Sequence, residues 1–442
     1  MCHHQHKDFK DFTDEKKYRL KDFFDMWWDD YCKKPTKFIR PEQYKAVAAM
    51  QVCRTEVLGI DYYSCPDCGE ISEIRHNCKN RFCPTCSWLD TIKWSEELKL
   101  KIFDIPHRHA VFTLPHSLNG LIENNKREML NILGRISADI FKSWFRTKYN
   151  VNIGIVSVIH TYGEKKNAHY HIHMLVAWGG MDFDTGELVT FKGAEKKFIS
   201  YKHLKKEFRR KYVNELEKLF DIKELKHNFV NKKKFKEFIR KKLHKTAWQI
   251  HLEDPMDTPE EIIRYIGRYS KRACLSEYKI TNIEGEYLTF KYKDYADRID
   301  PKDKKSPPKE KELRLHYNKF FPRLLQHVPR PYFRMVRYYG AYGKFKNIPE
   351  EYRMQEEDQQ KLSETIKIEY ETSEKNPKYC TACTRAKVYV NTLLDTRFKK
   401  DRTEPFDIKK HSHRFYKKVF ITKEDREKIQ KKIEEKNVKK VA

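Results

Sequence analysis

Residues 168–178 read AHYHIHMLVAW. Side chains alternate along a β-strand, so Tyr170, Ile172, Met174 and Val176 share one face, and His169, His171 and His173 share the other. A helical period would scatter both sets. The pattern predicts a strand in a sheet whose apolar face is covered, with Gly179-Gly180 ending it. Three like polar groups in a row gain little as structure, and an unpaired buried imidazole costs free energy. Neutral imidazole is a common ligand for divalent metals. The plain structural alternative is a row of polar residues facing solvent. Two adjacent imidazoles on one face leave coordination positions open, as a catalytic ion requires. A third ligand could be His169, or Glu164 or His160.

Other elements fall around this strand. The run through Ala110 to Leu114, stopped by Pro115, reads as a strand, as does VNIGIVSVIHTYG, residues 151–163. Leu130, Leu133, Ile136, Ile140 and Phe141 are spaced for one face of a helix over 121–149. Phe198, Leu204, Phe208 and Tyr212 mark another. Residues 8–50 read as helical, 231–245 as a basic helix or loop, and PEEIIRYIGRYSKR as a helix starting at Pro259. YLTFKYKDY alternates as a strand, and DPKDKKSPPKEKE, residues 300–312, reads as a loop or linker. The class predicted is α+β.

A second constraint precedes these elements. CPDCGEISEIRHNCKNRFCPTC holds Cys65-x-x-Cys68 and Cys83-x-x-Cys86, with fourteen residues between the pairs. A CxxC turn aims two thiolates at one point, and two turns complete a tetrahedral structural zinc site. On spacing the four ligands are Cys65, Cys68, Cys83 and Cys86. Cys78 and His76 are spare candidates that could replace a knuckle cysteine or serve a second ion with Cys53. Cys380 and Cys383 form a lone CxxC, half a metal site.

The 92 Lys and Arg outnumber the 64 Asp and Glu, a formal charge of +28. Self-repulsion of that size points to a polyanionic partner, and 14% aromatic residues favour single-stranded nucleic acid, whose bases stack on rings. No apolar run reaches the roughly 18 residues of a membrane span, and MCHHQHKDFKDF lacks a signal-peptide core. A cytoplasmic, nucleoid-associated protein is expected. In RYIGRYSKR, Tyr265 and Tyr269 stand one helical turn apart among Arg264, Arg268, Lys271 and Arg272. A free phenol is a poor nucleophile near neutrality. Nearby cations or a metal-bound phosphate favour the phenolate. Packing on a core is the plain alternative.

Together these motifs carry a resemblance. CRTEVLG, the two knuckle segments, HAVFTLPHSLN, IHTYG, HYHIHMLVAWGG, FISYKHLKKEFRRKY, RYIGRYSKR and FFPRLLQHVPRPYFRMVRYYG follow one another in the order seen in rolling-circle insertion-sequence transposases of the two-tyrosine HUH class, the IS91 type. The chain resembles that family up to about residue 345. HUH denotes histidine, a bulky hydrophobic residue and histidine, here His171-Ile172-His173. Departures are Phe82 where the family commonly has histidine, Gly59-Ile60-Asp61 where it often has Gly-Gly-His, and Tyr170 in place of a proline.

The resemblance implies an HUH-endonuclease core, an antiparallel sheet with flanking helices, preceded by a helical and zinc-ribbon-like module. The implied regions are 1–100 (helical and zinc-binding), 101–300 (nuclease with paired tyrosines) and 301–442 (basic aromatic region and charged tail). It implies that His171 and His173, with a third ligand such as His169, hold Mg2+ or Mn2+, and that Tyr265 or Tyr269 attacks single-stranded DNA to leave a 5′-phosphotyrosine. The element ends and target are the expected DNA partners, with a host helicase opening the duplex. An HUH replication initiator or relaxase, and a non-catalytic zinc-dependent DNA-binding regulator, are the alternatives.

Overall fold

The computed structural model describes residues 18–34, 38–65, 67–99, 101–191, 199–256, 273–301, 303, 306–353 and 388–393. The chain begins with two helices, α1 (Leu20–Cys32) and α2 (Pro41–Gln51), then a hairpin of β1 (Ile60–Ser64) and β2 (Ile71–Arg75). Pro41 opens α2, where its missing N–H would have no partner in any case. Helix α3 (Pro84–Lys99) leads out of the cysteine segment to β3 (His107–Thr113). Two further helices, α4 (Asn119–Asn124) and the long α5 (Lys126–Tyr149), precede two long strands, β4 (Val151–Tyr162) and β5 (Ala168–Asp182). Asn150 ends α5 at φ 55°, a left-handed position that asparagine tolerates better than most residues.

The short β6 (Leu188–Thr190) pairs with β5, and α6 (Tyr201–Asp221), α7 (Lys232–Phe238) and β7 (Gln249–Met256) follow. The segment read as a basic helix or loop is α7 plus one wider turn at Ile239–Leu243. The rest of the described chain is β8 (Ile280–Glu284), β9 (Tyr287–Arg298), β10 (Pro308–His316), α8 (Tyr317–Leu325), β11 (Val336–Gly340) and β12 (Val388–Leu393).

The main sheet runs β11-β4-β5-β3-β7 and is antiparallel throughout. Its two faces are built differently. On one face, Phe112, Tyr170, Ile172, Met174 and Val176 are at most 1% exposed against α5 and α6, whose inward residues include Leu133, Phe141, Phe208 and Tyr212. The apolar stripe of β5 is therefore the floor of the main core, and the Tyr170 hydroxyl donates to Glu123 there. On the other face, Val156, Val158, Leu175 and Ala177 pack against Trp94, Leu98, Phe103 and Tyr342. That cover stops short of the histidines. Gly154 permits it: a Cβ there would lie 2.3 Å from the Tyr342 ring.

A second core joins the first two helices and the cysteine segment to residues 274–328. Phe23, Phe24, Trp28 and Tyr31 of α1 pack with Phe320 and Phe321 of α8 and with Leu288 and Phe290 of β9. Phe24 and Phe321 stack with centroids 4.5 Å apart. The β8–β9–β10 sheet is part of this unit. Residues 308–312, expected in a loop, are instead the start of β10. Lys309 and Lys311 pair across the ladder with Asp294 and Asp297, so alternating charge lines a solvent face rather than a linker. Pro308 stands at the first strand position, where a missing donor is tolerated. The region boundary placed at 300/301 thus falls within the β9–β10 connection, and β11 is an edge strand of the histidine sheet.

A third sheet, β12-β1-β2, carries the cysteine hairpin. Among the described residues no helix is long and apolar enough to cross a membrane.

Candidate metal centres

The register of β4 on β5 sets His160 directly opposite His171. Paired residues of an antiparallel ladder point to the same face, so His160 joins His171 and His173. One ring nitrogen from each of the three lies within 4.8 Å of those of the other two. The ring centroids are 4.6 Å apart for His160 and His173, 5.3 Å for His160 and His171, and 4.9 Å for His171 and His173. His171 Nδ1 lies 3.1 Å from the His169 carbonyl oxygen. A carbonyl only accepts, so Nδ1 carries the proton and Nε2 keeps its lone pair. Burial, reinforced by the neighbouring imidazoles, holds His171 and His173 well below the ordinary histidine value. They are neutral at pH 7 and available as ligands, and the donor set fits a divalent ion with further positions open for oxygen ligands.

His169 is not in this trio. Between the His160–His171 and Tyr162–Ala168 pairs, β5 has two residues opposite one on β4, a bulge that offsets His169. Its ring lies 4.9 Å from that of His171 and 5.2 Å from that of His116, but its ring nitrogens fall outside the group of three. Glu164, another open alternative, is engaged elsewhere: Lys279 donates to it at 3.0 Å. Lys166, at the turn between β4 and β5, is 4% exposed, and its ammonium lies 5.2 Å from the Tyr162 ring centre. Tyr162 in turn stacks on His160.

Tyr265, Tyr269, Arg264, Arg268, Lys271 and Arg272 lie outside the described residues. Their flanks are described. The chain leaves β7 at Met256, beside the histidine sheet. It re-enters at Ala273, whose N–H donates to Ser87 Oγ at 2.9 Å, and Cys274 is buried beside Lys166.

The second metal centre differs from the spacing-based expectation. Cys83 and Cys86 converge with Cys53 and Cys78, not with Cys65 and Cys68. The Cys53–Cys86 and Cys78–Cys86 Sγ distances are both 3.5 Å. A tetrahedral ion with metal–sulfur bonds of about 2.3 Å separates its sulfurs by about 3.8 Å, so one zinc fits with little adjustment. Cys53, Cys83 and Cys86 are buried and Cys78 is half-buried. Hydrogen bonds from Cys78, Cys83 and Cys86 hold the Cys53 thiol below its ordinary value, and the same contacts push Cys78 and Cys83 up.

The hairpin explains the exchange of partners. Cys65 follows β1 at the hairpin tip. Cys53 and Cys78 lie at its open end, tied together by Arg54 N–H to the His76 carbonyl at 3.1 Å and His76 N–H to the Gly59 carbonyl at 3.0 Å. Four strand steps of about 3.4 Å separate the ends, so one ion cannot serve both. The tip is still folded as a knuckle turn. Gly69 N–H reaches the Cys65 carbonyl at 3.0 Å, with Gly69 at φ 74°. His76 Nε2 pairs with Asp61 at 2.9 Å rather than joining the cysteines. Cys380 and Cys383 lie outside the described residues.

Comparisons with known proteins support the zinc-binding module. A family model described as "Transposase zinc-binding domain" matches residues 23–114, and one described as "Putative transposase" matches residues 154–349. The first spans the four-cysteine cluster, and the second begins just before the histidine trio. The chain is 27% identical to "Putative transposase y4qJ" of Sinorhizobium fredii over 73% of this chain and 79% of the relative. It is 28% identical to the "Transposase for insertion sequence element IS801" of Pseudomonas savastanoi pv. phaseolicola over 68% of this chain and 70% of the relative. No solved structure matches the chain. A four-cysteine module ahead of a histidine-faced sheet, and both family models matched in that order, support an IS91-type transposase with an N-terminal zinc-binding domain.

Proposed function

We propose that this transposase cleaves and rejoins single-stranded DNA through a 5′-phosphotyrosine intermediate in rolling-circle transposition. The observation that carries the reading is the convergence of His160, His171 and His173 on one face of the main sheet. A bound Mg2+ or Mn2+ would polarise the scissile phosphate there. The imidazoles hold the ion and orient it, and the covered apolar half of the same face keeps the strand rigid beneath it.

Tyr265 and Tyr269 are the proposed nucleophiles. One phenolate attacks the phosphorus, its oxygen bonds to the 5′-phosphate as the P–O3′ bond breaks, and the departing 3′-oxygen takes up a proton from water, balancing the proton the phenol gave up. The phosphodiester energy is kept in the new bond, so rejoining needs no ATP. The second tyrosine permits another cleavage while the first strand remains attached. Arg264, Arg268, Lys271 and Arg272 supply positive charge around the phosphates. The described flanks of residues 257–272, at β7 and beside Lys166, support this assignment by bounding where that segment starts and ends. Strand separation is supplied by a host helicase, and element ends and target are the DNA partners. A net charge of +28 makes binding steeply salt-dependent.

The test is an adduct assay with a single-stranded oligonucleotide carrying the element end and Mn2+. Wild type should give a DNA–protein species that survives denaturation. Tyr265→Phe, Tyr269→Phe together should bind the oligonucleotide and give none. An adduct in the double variant sinks the tyrosine assignment. No adduct from wild type points to a zinc-dependent DNA-binding regulator instead.

A further inference from the structure

Next to the histidine trio is a hydrogen-bonded chain that the reaction scheme above does not use. His109 lies on β3, 2% exposed. Its Nε2 is 3.0 Å from His173 Nδ1, and the two ring planes lie within 9° of each other. Its Nδ1 is 3.1 Å from a Glu253 carboxylate oxygen on β7. Three adjacent strands, β7, β3 and β5, thus contribute one residue each to a line that ends on a ligand.

We propose that Glu253 and His109 are positioning residues that fix the tautomer of His173 for metal binding. The inference rests on the metal-site reading above. The direction of the line follows from what each atom can do. An ionised carboxylate only accepts, so His109 Nδ1 carries a proton. A neutral His109 then has a bare Nε2, which must accept from His173 Nδ1–H. That leaves the lone pair of His173 on Nε2. Read backwards, the result is the same: a metal on His173 Nε2 requires a proton on Nδ1, and His109 Nε2 is the acceptor in reach. His171 reaches the same tautomer through the His169 carbonyl. Both ligands of the HUH motif are therefore set with Nε2 free, one by backbone and one by a carboxylate–imidazole line. Such outer partners fix ring orientation and raise ligand basicity.

Mn2+ affinity, measured by electron paramagnetic resonance on the full-length zinc-loaded chain, tests this apart from DNA cleavage. Glu253→Ala and His109→Leu should weaken Mn2+ binding by about 10- to 100-fold. His109→Gln should recover most of the loss, because its side-chain carbonyl can accept from His173 Nδ1–H. A packing role alone would favour leucine over glutamine. Cleavage by the weakened variants should return toward wild type at saturating Mn2+. Wild-type affinity in Glu253→Ala and His109→Leu overturns the proposal while leaving the metal site standing. Equal loss in His109→Leu and His109→Gln also overturns it. If His171→Ala binds Mn2+ as wild type does, the metal-site reading fails, and this proposal with it.

Discussion

Cys53 Sγ lies 3.5 Å from Cys86 Sγ although 33 positions separate them in the chain. The contact belongs to a four-thiol group, Cys53, Cys78, Cys83 and Cys86, that could hold one zinc, and it yields the first prediction. Cys53→Ser or Cys78→Ser should each lower the zinc content by one ion per chain and destabilise the second core, which packs directly on Cys83 and Cys86. Cys68→Ser should leave the ion at Cys53 and Cys86 in place. Metal release by a colorimetric chelator, with the melting temperature in parallel, checks both statements.

His160 should behave as a ligand and His169 should not. His160→Ala is expected to lower divalent-metal-dependent cleavage by more than about 100-fold, beyond the usual effect of an outer-shell residue. His169→Ala should stay near wild type, since its ring sits with His116 past the bulge. Single-turnover cleavage at several Mn2+ concentrations separates the two. A strong His169→Ala defect with an active His160→Ala would reverse the assignment.

The aromatic joint between α1 and α8 should be costly to break. Phe321 is fully buried and contacts Phe23, Phe24 and Tyr31. Phe321→Ala should destabilise by about 3–5 kcal/mol. Denaturant melts report the loss, and Phe321→Leu should recover part of it.

Acid should weaken the fold through His107. Burial drives this histidine down to about 4, against one hydrogen bond that pulls it back. Its two nitrogens each lie 2.7 Å from a partner, the Ile105 carbonyl and the Tyr342 hydroxyl. The unfolded chain binds the proton more tightly, near the ordinary value of 6.5. The stability contribution is therefore complete above about pH 6.5 and is lost as the pH falls toward 4, roughly 3 kcal/mol in all. His327, brought down to about 3 by burial, adds in the same direction. Urea melts between pH 7 and pH 5 should show a falling midpoint, and His107→Asn, which cannot take up the proton, should flatten the slope.

Some of this was legible in the residues and some was not, for identifiable reasons. The β5 strand was, because alternation of Tyr170, Ile172 and Met174 with three histidines admits no other regular structure. The choice of His160 over His169 was not. It depends on a one-residue bulge, and spacing along the chain carries no register. The knuckle cysteines were half legible. A CxxC motif announces a turn, but the β1–β2 hairpin decides which turn meets which partner. The stretch around HYNKFFPRLL falls in the basic aromatic region expected over 301–442. Tyr317, Phe320, Phe321 and Leu324 fall on one helical face and are buried, a spacing that already favours core. His109 and Glu253 carried no local signal, since only sheet order brings β7 and β5 to either side of β3.

The place of β12 on the outer edge of β1 has a consequence for how the protein is made. The four clustered cysteines all lie before residue 87, but Ile60, paired with Arg75 on one side, finds its partner on the other side only at Leu393. At about 5–20 residues per second, synthesis of the intervening chain takes roughly 15–70 s. Through that interval the metal cluster can form while β1 keeps an open edge, a template for pairing with another nascent chain. Premature termination before residue 388 would make that exposure permanent. The ribosome thus releases a zinc module whose last strand is among the final parts of the described chain to emerge.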